Sequence, residues 1–108
     1  MAKKRTTLKE VRSFEYDLTS ANIGAFALVK RGHEDNKVCI VVGVTKSGEY
    51  LIADGKRRKL EKPKLKRECH VQIIETNDGI RKLVLENGLT NRKIRRILFL
   101  RRDYSAKG

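Results

Sequence analysis

Short apolar blocks alternate with polar segments through the middle of the chain, a pattern typical of a small β-sheet protein. Residues 23–30 and 38–45 are apolar and rich in β-branched side chains, and the polar residues 31–37 separate them. Residues 50–54 form a third apolar block, which follows a turn that contains Gly48. These blocks predict three strands joined by short turns.

The segment after the third block combines a turn signal with the single proline of the chain. Asp54-Gly55 is a dipeptide typical of two-residue hairpin turns, so residues 57–60 are expected to form a fourth, very short strand. Pro63 has no backbone N–H to donate to a sheet ladder, which predicts a sheet edge or a loop over residues 61–67.

A fifth strand is expected over residues 69–74, where apolar and polar side chains alternate. Val71 and Ile73 are predicted to face inward, and His70 and Gln72 to face outward. Several short strands with turn signals at close intervals favour a small β-barrel or sandwich.

The spacing of apolar residues becomes helical after the fifth strand, which predicts two short helices. The first is expected to begin with Asp78 as its cap and to end at Gly88. The second is expected to begin at Thr90 or Asn91. The side chains near the expected apolar faces are Ile80, Leu83, Val84 and Asn87 in the first helix, and Ile94, Ile97 and Leu98 in the second.

The N-terminal part of the chain has a different pattern from the rest. Its first four residues are expected to be a basic arm without regular structure. Thr7 and Glu10 have the spacing of a capping box, which predicts a short helix to about Asp17, and there is no apolar segment typical of a secretory signal. We expect three segments: an N-terminal extension (1–22), a β domain (23–75) and a helical segment (76–108).

The charge of the chain narrows the classes of partner. Its 108 residues include 26 basic and 13 acidic side chains, and the formal net charge is +13. Self-repulsion of this size disfavours a compact state, so an anionic partner is expected, with nucleic acid first and an anionic membrane second. No apolar run approaches the ~20 residues of a membrane span. We therefore expect nucleic acid rather than a membrane as the partner.

The residues that carry catalysis or bind metals in other proteins are sparse. Cys39 and Cys69 are too few for a disulfide scaffold or a Cys-rich zinc site, so free thiols in a reducing, cytoplasmic setting are expected. Cys39 is expected in the core and Cys69 partly buried; a bridge between them is the alternative. Only His33 can join His70 as a second imidazole, and no phosphate-binding loop, carboxylate pair or catalytic triad is apparent. We expect no enzyme activity, no cofactor and no metal.

Residues 56–67 concentrate positive charge in the middle of the chain. Eight of these twelve residues are basic and Glu61 is the only acid. A solvated charged loop is the ordinary interpretation of such a run. Contact with RNA is the alternative that we favour, because one acid cannot neutralise the segment internally.

The spacing within this segment suits phosphate groups. If the backbone around Pro63 is extended, Lys62, Lys64 and Lys66 lie on one side about 6.5 Å apart, which is two rises of ~3.3 Å and close to the phosphate spacing of an RNA strand. Arg57 and Arg58 are suited to forked contacts with phosphates or to stacking on exposed bases.

The stretches IGAFALVKRGHEDNKVCIVVGV and LIADGKRRKLEKPKLKRECHVQ resemble the KOW domain of bacterial RNA-binding proteins, which are related to archaeal and eukaryotic large-subunit ribosomal proteins. LENGLTNRKIRRIL resembles the short C-terminal helix of the bacterial members. The motifs that match are Asp54-Gly55, Arg57-Arg58-Lys59, Lys62-Pro63-Lys64 and His70-Val71. Asn36 stands where a late glycine of the KOW turn is expected, and the first 20 residues have no counterpart.

The resemblance implies an SH3-like β-barrel of the KOW type that binds structured RNA, with ribosomal RNA as the expected partner and ribosomal proteins as further contacts. We expect a monomer. His33 is a further candidate in the turn, where Glu34 and Asp35 would weaken phosphate contact, and a polar hairpin loop is the alternative interpretation. The candidate RNA-binding residues are Lys30, Arg31, Lys37, Lys56, Arg57, Arg58, Lys59, Lys62, Lys64, Lys66, Arg67, His70, Arg92, Lys93, Arg95 and Arg96.

Several alternatives remain open from the sequence. The arginines of the second helix either extend the RNA footprint or are merely solvated. Tyr50 and Tyr104 either stack on a base or have ordinary packing roles. The chain is expected to be ribosome-associated; the other hypotheses are a transcription-elongation accessory of the NusG type and a module that binds acidic proteins.

Overall fold

The computed structural model describes residues 16–30 and 37–107, with the backbone alone for residues 102–107. The protein is mainly β, with a five-stranded antiparallel sheet and two helices. Its elements are β1 (Phe26–Val29), β2 (Lys37–Val44), β3 (Tyr50–Ala53), β4 (Lys64–Lys66), a 3-10 turn (Glu68–His70), β5 (Val71–Glu75), α1 (Asp78–Leu85) and α2 (Asn91–Lys107).

The strands lie in the order β4-β3-β2-β1-β5. The sheet does not close, because β4 and β5 are its two edges and are not hydrogen-bonded to each other. The expectation of a closed β-barrel is therefore wrong. A physical reason is the brevity of β4, whose three residues give way to the 3-10 turn before the chain can form a second ladder. Register shifts at Phe26/Ala27 and Val41/Gly43 are the irregularities that increase the twist of such a sheet.

The fourth strand forms later in the chain than the hairpin signal predicts. The backbone N–H groups of Asp54 and Gly55 both donate to the carbonyl oxygen of Arg58, at 2.9 and 3.1 Å. The Asp54 carboxylate accepts from the N–H groups of Lys56 and Arg58, at 2.9 Å each. These bonds hold the chain in a compact turn, so the prediction of a strand over residues 57–60 is wrong.

The edge strand β4 forms after the proline instead. Lys64 pairs with Ile52 and Lys66 with Tyr50, so β4 adds to the free side of β3. Pro63 precedes the first paired residue, where its missing N–H costs no ladder bond. The prediction of a sheet edge after the proline is confirmed.

The core occupies both faces of the sheet. Ile40, Val41 and Ile52 are fully buried, as is Ile94 of α2. Phe26 pairs with Ile40, and Ala27 with Cys39, so alternate residues of β1 and β2 face opposite sides. In β5 the half-buried Val71 and Ile73 pack against this core while Gln72 is exposed, as the alternation predicts.

The two helices begin and end with local signals in the sequence. Asn77, not Asp78, caps α1, and its side chain accepts from the N–H of Ile80 at 2.9 Å. Asn87 has a φ of 59°, and Gly88 donates to the Leu83 carbonyl at 2.7 Å, which is the 6→1 bond of a Schellman motif. The left-handed residue that ends α1 is therefore Asn87 rather than Gly88.

Thr90 caps α2, because its hydroxyl accepts from the N–H of Lys93 at 3.1 Å. This helix has 17 residues, so the expectation that it is short is wrong. Ile94 is buried, and Ile97 and Leu98 pack against the core, so the predicted apolar stripe is confirmed. α2 lies on the face of the sheet that carries Phe26, and its Arg101 guanidinium lies 4.8 Å from the ring centroid.

Three further expectations concern the N-terminal segment and the cysteines. The helix predicted from Thr7 to about Asp17 lies mostly outside the described residues. Of its expected last residues, Tyr16 is not helical but forms an antiparallel bridge with Thr45. Cys39 is a buried free thiol, as expected. Cys69 is exposed in the 3-10 turn, so its predicted partial burial is wrong, and both thiols are free, so the alternative of a disulfide is also wrong.

Candidate nucleic-acid interface

One end of the sheet collects basic residues from several strands. Val29, the last residue of β1, pairs with Lys37 of β2 and with Val71 of β5. Lys30 therefore follows at the end where β2 and β5 begin, and its N–H donates to the carbonyl oxygen of His70 at 3.0 Å. The loop between β3 and β4 lies at the same end, because β3 ends where its antiparallel neighbours begin.

The N-terminal part of α2 docks onto the loop between β3 and β4. The Asn91 side chain accepts from the N–H of Leu60 at 2.7 Å and donates to a carboxylate oxygen of Glu61 at 2.9 Å. One turn later, Nη1 of Arg95 donates to the carbonyl oxygen of Gly55 at 2.8 Å. These contacts bring the basic side chains of the helix beside those of the loop.

A groove of about 660 Å³ lies between this end of the sheet and α2. Val38, Leu98 and Phe99 supply its apolar lining, and Phe99 is 56% exposed. Its other lining residues are Lys37, Asp54, Lys56, Arg95, Arg96 and Arg101. We call this set of residues the basic groove. It joins side chains from β2, the loop between β3 and β4, and α2.

A smaller depression adjoins the basic groove, since both are lined by Lys37 and Asp54. Its remaining lining residues are Val29, Cys39, Ile52, Arg57, Arg58 and Lys66. The two depressions lie on opposite faces of the sheet and meet at the end that carries Lys37 and Asp54, and together they are lined by seven of the predicted RNA-binding residues. These are Lys37, Lys56, Arg57, Arg58, Lys66, Arg95 and Arg96.

Two acids of the loop between β3 and β4, Asp54 and Glu61, form local hydrogen bonds. Asp54 accepts the two backbone hydrogen bonds that close its turn. The hydrogen bond from the Asn91 amide, with a further backbone hydrogen bond, holds the pKa of the exposed Glu61 carboxyl below its ordinary value. Within the described part of the chain, neither carboxylate forms an ion pair with a lysine or arginine side chain. Both carboxylates are held by hydrogen bonds within the loop and its contact with α2.

The lysines around Pro63 are only partly arranged as predicted. Lys64 and Lys66 lie two residues apart in β4 and share one of its faces. Lys62 precedes the strand and its N–H donates to the carbonyl oxygen of Lys59 at 2.9 Å, which places it in a turn. The extended row of three lysines is therefore reduced to two.

Four other candidates lie apart from the groove or outside the described residues. Arg67 lines a depression at the opposite end of the sheet, together with Glu49 and Glu68. Nζ of Lys93 donates to the carbonyl oxygen of Gly88 at 3.0 Å, so it holds the connection between the helices. Arg31 lies outside the described residues, as does His33.

Two residues that line the groove were not among the candidates identified from the sequence. Phe99 is exposed in the groove although its position beside Ile97 and Leu98 suggests core packing. Arg101 lines the groove, contacts Phe26, and forms an ion pair with Glu75 at 3.7 Å. The sequence signal that could have identified Phe99 is its position, one residue beyond Leu98, where the buried stripe of α2 ends.

Of the two tyrosine candidates, the described side chains decide the outcome for Tyr50. Tyr50 is buried, and its hydroxyl accepts a hydrogen bond from the Asn22 side chain at 3.1 Å, so the packing alternative is the correct one for this residue. Tyr104 belongs to the part of α2 described by its backbone alone.

Comparison with known proteins adds no family assignment. No protein-family model matches the chain, and no curated protein matches it significantly. Over the described residues, no group of three or more His, Cys, Asp and Glu side chains is arranged to hold a metal ion. In the same part of the chain, none of the helices is long and apolar enough to cross a bilayer.

Proposed function

We propose that the protein is a non-catalytic RNA-binding protein that contacts the phosphates of structured RNA with the basic groove and the adjoining depression. The observation that carries the proposal is the docking of α2 onto the loop between β3 and β4, through Asn91 and Arg95. Without that docking the two basic segments would be separate charged surfaces. With it, basic side chains of both segments line the same groove.

Physical principles favour RNA over other anions for such a surface. Lysine and arginine side chains that neutralise phosphates release condensed counter-ions, which supplies a large part of the binding free energy. Folded RNA is recognised mostly by shape and by its sugar-phosphate backbone, and phosphate contacts need no sequence-specific side chains. Forked contacts from Arg57, Arg58 and Arg96 suit phosphate oxygens better than ammonium groups do.

We further propose that the fold is an SH3-like domain of the KOW type. The order of the elements supports this assignment. Four consecutive strands form a meander, a 3-10 turn follows, and the last strand returns beside the first. Together with the resemblance of the basic segment to KOW proteins related to ribosomal proteins, this order makes ribosomal RNA the expected partner and the ribosome the expected site of action in the cytoplasm.

The first test is the salt dependence of binding to ribosomal RNA. The logarithm of the association constant should fall steeply and linearly with the logarithm of the salt concentration, by roughly 0.7–0.9 for each phosphate neutralised. An affinity that hardly changes between low and moderate salt would rule out phosphate contacts as its source. Co-sedimentation with large ribosomal subunits on a sucrose gradient tests the expected partner.

The second test compares two charge-reversal variants of equal net charge. Lys56→Glu with Arg96→Glu alters two exposed residues that line the groove. Lys46→Glu with Lys82→Glu alters two exposed residues that do not line it. The first variant should weaken RNA binding at least tenfold and reduce the salt slope by about 1.5, the value for two lost phosphate contacts. The second should have a much smaller effect.

The same pair of variants discriminates the proposal from a module for acidic proteins. Equal losses of RNA affinity in both variants would indicate that only net charge matters and that the groove is not the binding surface. Loss of an acidic protein partner by the groove variant, with RNA binding unchanged, would favour the protein-interaction alternative.

A further inference from the structure

The basic groove has an aromatic side chain that phosphate contacts alone do not require. Phe99 is 56% exposed, whereas Leu98 beside it is half-buried against the core. Exposing a phenylalanine ring to water costs free energy that burial would recover, about 25 cal/mol for each Å². Val38 and Leu98 extend this apolar surface into the groove. The lining therefore combines an apolar surface with basic side chains.

This combination fits the two halves of a nucleotide. RNA-binding proteins stack unpaired bases on aromatic side chains, while basic side chains hold the adjacent backbone. Lys56 from the loop and Arg96 from α2 also line the groove, and both are exposed. The volume of about 660 Å³ is within the range of ~300–1,000 Å³ that is typical of ligand pockets. A regular duplex offers only backbone and groove edges to such a surface and leaves an apolar recess unfilled.

We propose that the basic groove takes one unpaired nucleotide of a structured RNA, with its base stacked on Phe99 and its flanking phosphates bound by Lys56 and Arg96. This inference rests on the proposed RNA-binding function and specifies the class of RNA: a helix interrupted by a bulged or otherwise unpaired nucleotide. The basic residues that line the groove favour this occupant over a second copy of the protein, which carries the same positive net charge.

The test uses two RNA hairpins that differ by a single bulged nucleotide, with the full-length protein. The wild-type protein should bind the bulged hairpin about tenfold more tightly than the fully paired one, in the range expected for stacking of one base. A 2-aminopurine at the bulge should change its fluorescence when it stacks on the ring. Phe99→Ala should remove the preference, and Phe99→Trp should retain it.

Leu100→Ala is the matched control, because Leu100 is 59% exposed on the same helix but does not line the groove. It should leave both affinities unchanged. Equal affinity of the wild-type protein for the two hairpins, both with a steep salt dependence, would overturn the bulge inference and leave the RNA-binding proposal intact. Failure to bind either hairpin at low salt would overturn both.

Two further outcomes also count against the inference. If Phe99→Ala weakens binding of both hairpins by the same factor, the ring stabilises the shape of the groove and does not stack on a base. If the wild-type protein dimerises and Phe99→Ala makes it monomeric without affecting the hairpin preference, the groove is an interface between two copies.

Discussion

Nη1 of Arg95 donates a hydrogen bond to the carbonyl oxygen of Gly55 at 2.8 Å, and this contact joins α2 to the turn that follows β3. Gly55 is buried and has a φ of 82°. Its backbone also lies close to the N-terminal part of the helix, near the Asn91 carbonyl oxygen. The position of the helical arginines beside the basic loop therefore depends on a residue without a side chain. The predictions below test this arrangement and the properties that follow from it.

Substitution of Gly55 by alanine should destabilise the protein strongly. The left-handed backbone costs roughly 1–2 kcal/mol for an L side chain. An added Cβ would also lie 2.7 Å from the Asn91 carbonyl oxygen, and relief of such overpacking costs ~1–3 kcal/mol more. Urea denaturation measures the free energy of unfolding, and RNA affinity should fall with it because α2 must shift.

Gly48→Ala is the matched control for the backbone effect. Gly48 also has a positive φ, of 92°, but the nearest atom to an added Cβ is a Glu68 carboxylate oxygen at 3.8 Å. The Gly48→Ala variant should lose only the backbone penalty, ~1–2 kcal/mol in the free energy of unfolding. Equal losses for the two variants would show that the close approach of α2 to the turn does not contribute.

Removal of the Asn91 side chain should loosen the docking of the loop. Asn91→Ala leaves the part-buried N–H of Leu60 without its acceptor and removes the hydrogen bond to Glu61. The expected loss in the free energy of unfolding is about 1–2 kcal/mol. Arg92→Ala changes the exposed neighbour and should stay within ~0.5 kcal/mol of the wild type. Similar losses for both would exclude the hydrogen bonds of Asn91 as the cause, because alanine has a higher helix propensity than either residue.

The contact between Glu61 and Asn91 should make stability depend on pH. The Asn91 hydrogen bond holds the pKa of Glu61 below its value in the unfolded chain, so the unfolded state binds more protons at acidic pH. The stabilisation is fully present above the unfolded pKa, about 4.3, and is lost as pH falls through the lower folded value.

Glu61→Gln tests this dependence by denaturation at pH 7 and at pH 3. The variant should be less stable than the wild type at pH 7 and similar to it at pH 3. Glu86→Gln, a change at the exposed residue that follows α1, should show no such difference. A constant gap between Glu61→Gln and the wild type at both pH values would exclude the carboxylate charge as its cause.

The two thiols should differ in reactivity towards a water-soluble alkylating reagent. Cys69 is exposed and should react within minutes, whereas the buried Cys39 should react only after denaturation. Mass spectrometry should find one label on the native protein and two on the unfolded protein. Cys69→Ser should abolish native labelling; labelling of Cys39 at the same rate would mean that β2 opens readily.

Local patterns predicted much of the secondary structure. β-branched blocks identified β1, β2 and β3, and the alternation of Val71 and Ile73 identified β5 and its inward face. The spacing of apolar residues identified both helices. These features depend on contacts between residues near in sequence and on burial of one face, so the sequence contains their signal directly.

The fourth strand shows where local signals fail. Asp54-Gly55 does form a turn, but the carboxylate of Asp54 binds its own loop and keeps residues 57–60 out of the sheet. The strand forms after Pro63, where pairing with β3 is available. The choice between these two segments is a competition for one sheet edge, and no local pattern decides such a competition.

The sequence by itself determined the basic character of the protein, its mainly β class and the list of basic residues that are candidates for phosphate contact. Only the tertiary structure decided that the sheet remains open, that α2 packs against the loop between β3 and β4, and that Phe99 faces a groove rather than the core. The physical reason is range: strand and helix signals act over a few residues, whereas the contact of Arg95 with Gly55 joins positions 40 residues apart.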